Sequence, residues 1–404
     1  MNILLLSAIG GGHSHLIPLY VLNQRYLERV ENVTSYFLIP EKLHQSYKEA
    51  KINVLPIDFK QPNDANALIS NYEGSKKFFK CVLSNISQAV SDIKPAIIID
   101  DLEPLSTLIA EKKKIHRISI HRTGYFRSIE PEFRNQNHIH SMEKLNHGKI
   151  WDASVLLNPS LFEKQLRHHR VSSNLKCLFN YLNAKTKLIP GIASIERLPG
   201  DIKDRSSYFY TGPLLVKDNP SDILMEELGL FWDANNGRKT VFITTGLVDL
   251  DDIQDIVLHL LKNNYAVIST RSFNACREYG KQFIYIPFAP LNHICSKADL
   301  IIHQCGSGIY HYPLLHQKPA ITLGTQCYDR EDIAIRLQQL GVSRHVPSAK
   351  DDKNYLEIFT ESLQMFENEK LCNYEQLKKL KDEIYRTMLE FDAEEMLEYT
   401  LNGN

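Results

Sequence analysis

The sequence predicts an α/β protein made of two doubly wound parallel-sheet domains facing a central cleft. Three observations predict it: the length, a repeated alternation of apolar runs with helix-length polar segments, and a break rich in turn residues near the middle. At 404 residues the chain is too long for one ordinary core, and two domains of about 150 to 200 residues are the natural division. Continuous apolar runs recur at Ile3–Leu6, Thr34–Ile39, Ala96–Ile99, Arg117–Ile120 and Ala153–Leu157. Strands that are apolar on both faces belong to a parallel sheet covered on both sides. The style returns at Thr240–Thr244, Ala266–Ser269, Phe283–Ile286, Leu300–Ile302 and Ala320–Leu323. Between the halves, "YFYTGPLLVKDNPSDILMEELG" carries Gly212, Pro213, Asn219 and Pro220 and reads as a hinge. From Asn373 onward the chain is charged and amphipathic. We therefore expect one domain over 1–212, a second over 213–373, and a helical segment over 374–404 that packs back on the first.

Composition narrows the function. Lys plus Arg (47) nearly cancel Asp plus Glu (48), which argues against a broad nucleic-acid surface. The seven cysteines are scattered without a CxxC pair, which fits reduced thiols in a cytoplasmic protein better than a disulfide or zinc framework. The start, "MNILLLSAIGGGH", has no basic residue before its short apolar stretch and reads as a first strand rather than a signal peptide. No apolar run is long enough to span a bilayer.

In a doubly wound sheet, ligands sit beyond the carboxyl ends of the strands, where the strand order reverses. "ADLIIHQCGSGIYHYPLL" reads as a strand end, then small residues, then a helix start. Gly306, Ser307 and Gly308 let an anion approach backbone N–H groups closely, and the positive end of a helix dipole would favour it.

The segment "FAPLNHICSKADLIIHQCGSGIYHYPLLHQKPAITLGTQCYDREDIAIRLQQLGV" (288–342) resembles the donor-binding region of UDP-sugar glycosyltransferases with the GT-B fold, a superfamily of natural-product glucosyltransferases. The spacing matches from Phe288 and Pro290 through Ala298-Asp299 and Gly306 to Pro319, then with one extra residue to Asp329. "VFITTG" and "YTGPLL" are looser matches to the start of the donor domain and the end of the acceptor domain. The resemblance implies two Rossmann-like domains, the first binding an acceptor and the second a nucleotide sugar. It implies that Phe288 stacks on the nucleobase, that Gly306, Ser307 and Gly308 receive the diphosphate, and that Asp329 accepts hydrogen bonds from sugar hydroxyls. Thr244, Thr245 and Gly246 would border the phosphates. Departures are specific: the family's diphosphate-binding His falls on Gln304, with His303 one residue earlier; Leu291 replaces a Gln, Tyr312 a ribose-binding Glu, and Arg330 the Gln that reads the sugar. A Gln cannot become cationic, and Arg330 points toward a differently decorated or charged sugar.

The first half supplies a candidate base. Transfer to a hydroxyl needs a group that takes the acceptor proton, and His titrates near working pH. "IGGGHSHLIPLYVL" offers His13 and His15 after the first strand. The family's Gly-His-x-x-Pro spacing selects His15 with Pro18, whereas a lipid-linked sugar transferase register selects His13. A carboxylate on the other ring nitrogen would orient such a base. "KPAIIIDDLEPLSTLIAEKKKIHRISI" ends a strand with Asp100 and Asp101, where the family places an Asp; the distance to the later Ala110 and Ile115 favours Asp100. Neighbouring strand residues face opposite ways, so one Asp serves the His and the other caps the helix near Glu103.

Together these residues lead us to expect a cytoplasmic, metal-independent, inverting hexosyltransferase that uses a UDP- or dTDP-sugar as co-substrate, a small-molecule acceptor, and no cofactor. The rival classes are a nucleotide-sugar epimerase or hydrolase of the same fold, which needs no acceptor, and a catalytically degenerate binding or partner protein.

Overall fold

The computed structural model describes residues 1–7, 13–40, 53–57, 76–101, 103–121, 164, 167–168, 184–198, 204–244, 250–325 and 328–402. The described residues up to Val216, with those from Thr387 onward, form one compact unit, and Lys217–Arg386 belong to the other.

The first unit is a seven-stranded sheet in the order β3-β2-β1-β4-β5-β6-β7, with every pairing parallel. Its strands are β1 (Asn2–Ser7), β2 (Thr34–Pro40), β3 (Asn53–Ile57), β4 (Ile97–Asp101), β5 (His116–Ile120), β6 (Thr186–Ile189) and β7 (Tyr208–Tyr210). Helices α1 (His13–Arg25), α2 (Lys76–Ile93) and α3 (Pro104–Lys113) lie among these strands in the chain. Alternate residues of β1 and β4 go to opposite faces, as pleating requires. Leu4, Leu6 and Ile98 pack with Phe78, Phe79, Val82 and Ile86 of α2 and Leu105 and Ile109 of α3. Ile3, Leu5, Ile97 and Ile99 pack on the other face with Leu16, Leu19 and Leu22 of α1. Phe79 is fully buried, and its truncation to Ala would cost about 3–5 kcal/mol.

The second unit is a six-stranded parallel sheet in the order β10-β9-β8-β11-β12-β13. It comprises α4 (Asp222–Ala234), β8 (Thr240–Thr244), α5 (Leu250–Lys262), β9 (Ala266–Ser269), β10 (Phe283–Tyr285), α6 (Leu291–Lys297), β11 (Leu300–His303), α7 (His311–His316), β12 (Ala320–Leu323), α8 (Tyr328–Gln339), β13 (Ser343–Val346) and α9 (Tyr355–Glu367). Val241, Ile243, Ile302 and Ile321 of the sheet are buried with Ile253, Val257 and Leu260 of α5 and Phe359 and Leu363 of α9. The ending divides into α10 (Tyr374–Glu390) and α11 (Ala393–Asn402). Within the first unit, α11 lies against β5 and β6, with Met396 and Leu397 in the α1-side core and Thr400 Oγ1 3.1 Å from Thr186 Oγ1.

Nine of the ten expected strands form, and Ala153–Leu157 lies outside the described residues. Four strands carry no strong apolar signal. β3 contains Pro56 and sits at the sheet edge, where a missing N–H is tolerated. β6 includes Lys187, β7 is three residues inside the stretch expected as hinge, and β13 is the polar edge strand "SRHV".

Candidate functional site

Each sheet reverses direction at one place. In the first unit the chain moves outward one way from β1 and the other way from β4, so the switch point lies between them. Leu6 is in register with Asp100, and Ser7 with Asp101. His15, in the first turn of α1, places Nδ1 3.0 Å from Asp101 Oδ1. The His15 side chain is 22% exposed and Asp101 is fully buried. One ring nitrogen is thus held by a buried carboxylate in a side chain that still reaches solvent, the arrangement that orients a proton-accepting imidazole. The side chain of His13 lies outside the described residues.

The expectation that Asp100 partners the histidine is corrected. Asp101 shares the parity of Ile97 and Ile99, which face α1, whereas Asp100 shares that of Ile98, which faces α2 and α3. On that side Asp100 accepts bidentately from Arg117, Nε to Oδ2 at 2.6 Å and Nη2 to Oδ1 at 3.1 Å. It also accepts from Ser106 Oγ at 3.0 Å and the Glu103 N–H at 3.4 Å. Burial raises the Asp100 pKa, and Arg117, Ser106 and the Glu103 amide oppose that rise. Glu103 caps α3 itself, its carboxylate accepting from the Leu105 N–H at 3.0 Å. Asp100 therefore braces the β4–α3 corner beneath the His15–Asp101 pair. Sequence reasoning missed Arg117, whose only sign was a cation inside a strand.

In the second unit the switch point lies between β8 and β11, where Thr244 is in register with His303. Thr244 is half-buried, its Oγ1 accepting from Thr270 Oγ1 at 3.4 Å; Thr245 and Gly246 lie outside the described residues. After His303 the chain bends through Cys305, whose φ of 53° is left-handed and costs a non-glycine residue about 1 kcal/mol or more. The turn then closes with Ile309 N–H to Gly306 O at 3.0 Å. The N–H groups of Gly306, Ser307 and Gly308 donate to no described residue. Here too an expectation is corrected: α7 begins at His311, so these residues form a separate turn before the helix rather than its N-terminus. An anion would be held by successive turn amides, with little help from a six-residue helix.

Two buried histidines flank this turn, and burial holds both in the neutral form. His303 is fully buried, its Nδ1 accepting from the Cys305 N–H at 3.1 Å while Nε2 is buried without a partner. Burial pushes its pKa down to about 3. His311, also fully buried, is pushed down to about 3, against the pull of the Ser307 and Gly308 backbone. Gln304 is buried, with Oε1 unpartnered and Nε2 3.6 Å from where a Cβ on Gly306 would lie. No imidazolium therefore stands at the position where the resembled family has its histidine.

Other candidates are spread around the same carboxyl ends. Phe288 is 88% exposed, a free aromatic face on the loop after β10. Pro290 is buried and caps α6, its carbonyl accepting from the Ile294 N–H at 2.9 Å. The Asp329 side chain lies outside the described residues. Arg330, in the first turn of α8, is half-buried with Nη1 buried and no partner. Tyr312 is a core side chain, 4% exposed, and burial raises its pKa. A network unseen in the sequence supports the loop before α8. Glu331 accepts from the Thr325 N–H at 2.5 Å and lies 3.0 Å from His345 Nε2, while His345 Nδ1 is 3.0 Å from Thr322 Oγ1.

No family model and no curated protein matches the sequence. Solved structures match over nearly the whole chain. A Medicago truncatula UGT complexed with UDP-glucose is 12% identical, covering 99% of this chain and 98% of its own, with a TM-score of 0.72. The glycotransferase of kitacinnamycin is 14% identical, covering 99% of each chain, with a TM-score of 0.70. The glycosyltransferase VinC in complex with dTDP is 13% identical, covering 100% of each chain, with a TM-score of 0.62. At such identities the likeness establishes the fold: two Rossmann-like units of the GT-B type.

Proposed function

We propose that this GT-B protein is a glycosyltransferase that moves a sugar from a nucleoside diphosphate sugar to a hydroxyl of a small-molecule acceptor, inverting the anomeric centre. The observation that carries the reading is the His15–Asp101 contact of 3.0 Å at the switch point of the first sheet. His15 takes the acceptor proton as the oxygen attacks the anomeric carbon. Asp101 holds the Nδ1 proton and stabilises the imidazolium that forms. The bond from the anomeric carbon to the diphosphate breaks, and the charge that develops on the leaving phosphate meets the free amides of Gly306, Ser307 and Gly308. Phe288 supplies a stacking face for a pyrimidine. The reading needs no metal ion. Support comes from the structural neighbours, among them one solved with UDP-glucose and one with dTDP. Among the described residues no helix is long and apolar enough to cross a membrane.

The test is protection from thermal unfolding by UDP, dTDP and GDP, each at the same saturating concentration. One pyrimidine nucleotide should raise Tm, by an amount set by its concentration over Kd, and Ser307→Glu should remove the rise by placing a carboxylate among the turn amides. If none of the three protects the wild-type protein, the donor assignment fails.

A further inference from the structure

The turn between β12 and α8 is fastened by residues that the proposed reaction does not use. Its first two amides are both claimed: the Gly324 N–H donates to Val346 O at 2.8 Å, and the Thr325 N–H to Glu331 Oε1 at 2.5 Å. A Cβ on Gly324 would stand 2.4 Å from Ser348 N, so only glycine lets the chain pass this close to the backbone after β13. Residues 326 and 327 alone separate Thr325 from the start of α8.

Glu331 stands in the first turn of α8, 4% exposed, with Oε2 3.0 Å from His345 Nε2. Across the ring, His345 Nδ1 is 3.0 Å from Thr322 Oγ1, and the His345 N–H donates to Gln338 Oε1 at 2.8 Å. A carboxylate, an imidazole and a hydroxyl thus tie α8, β13 and β12 to one another. Thr322 is fully buried, so no substrate meets this hydroxyl and the series is not a nucleophile with its base. What the series holds is the Thr325 amide, and an ionised acceptor holds an N–H more firmly than a neutral one.

The address of the turn gives it a use. His303 of β11 is in register with Thr322 of β12, so the turn lies beside Gly306–Gly308 at the same carboxyl edge. Phe288 follows β10, three strands from β11 on the opposite side. A nucleoside diphosphate that stacks on Phe288 and rests its phosphates on Gly306–Gly308 directs the group beyond them, the sugar, toward the turn after β12. We propose that Glu331 and His345 are positioning residues that fix this turn for the sugar half of the donor and leave the nucleotide half untouched. The inference rests on the transferase reading.

The experiment is calorimetric titration of the full chain with UDP and dTDP, and with the glucose conjugate of whichever binds. Glu331→Ala and His345→Ala should each weaken the conjugate by about tenfold, the worth of one well-placed polar contact, with the free nucleotide bound as before. His345→Gln, which returns an N–H toward Glu331, should recover most of the loss. Should the alanine variants fail to fold, Thr322→Val removes only the hydroxyl behind His345, and the same selective weakening is expected at about threefold. If neither nucleotide binds the wild-type protein, the donor reading falls and this inference with it. If a nucleotide binds but the variants weaken it and its conjugate alike, or weaken neither, the positioning role alone is overturned.

Discussion

The two units place a candidate site at the same topological address and equip it in opposite ways. Between β1 and β4 the strand ends carry paired carboxylates, one met by a histidine of α1 and the other by an arginine from the start of β5. Between β8 and β11 they carry a threonine, a neutral buried histidine, a glutamine and a turn of unclaimed amides. A proton acceptor needs charge arranged around an imidazole. An anion holder needs fixed donors whose own charge does not change with pH. The fold supplies the crevice in both cases, and the residues placed on the last turn of each strand decide what it can do.

That comparison breaks most sharply at the two aspartates. Asp101→Asn should lower kcat by about 10³-fold or more, because the amide no longer selects the His15 tautomer or stabilises its cation, while nucleotide protection in the second unit stays intact. Asp100→Asn should instead lower stability by about 3–5 kcal/mol by leaving Arg117 without its carboxylate. The folded fraction should keep most of its activity. Steady-state kinetics with denaturant melts on both variants separate the cases; equal loss of activity without loss of stability would show that both carboxylates serve the reaction.

The neutrality of the second site has a pH signature. His303 and His311 are pushed down to about 3 by burial, so between that value and the ordinary pKa near 6.5 the unfolded chain binds protons the folded one refuses. The stability they contribute is present above about pH 6.5 and is lost as pH falls toward 3, with a limiting slope of about 1.4 kcal/mol per pH unit for each. Chemical denaturation from pH 7.5 to 4.5, compared with the His303→Gln variant, should show a shallower decline in the variant. Superimposable pH profiles would mean that His303 is not held neutral.

Phe288 should behave as a ligand contact without a structural share. At 88% exposed, its change to Ala should leave Tm unaltered while weakening nucleotide affinity by about 1–3 kcal/mol, the range for one stacked base. A drop in Tm without nucleotide would place the ring in the core instead. The smallest effect is expected at Arg330, whose buried Nη1 has no partner. If it meets a carboxylate on the sugar, Arg330→Gln should shift preference from a UDP-uronic acid toward UDP-glucose by about tenfold, with UDP itself bound equally well. Equal weakening of all three ligands would put the arginine on the diphosphate.

The sequence by itself determined the fold class, because burying a parallel strand on both faces demands the continuous apolar runs visible at Ile3–Leu6 and Thr240–Thr244. It also determined which turns carry polar groups, since the carboxyl ends of those strands are where "GGGHSH", "DD" and "HQCGSG" fall. It did not show β7 or β13, whose few residues are stabilised by pairing with a neighbour rather than by their own apolar pattern. Nor did it decide between Asp100 and Asp101. Ile97, Ile98 and Ile99 are equally apolar and all fully buried, so β4 has no alternation from which to read the direction of the residues that follow. Only the packing of α1 on one face of the sheet and of α2 and α3 on the other gives the two carboxylates different partners. The same holds for His303, whose neutrality comes from burial that no neighbouring residue in the sequence announces.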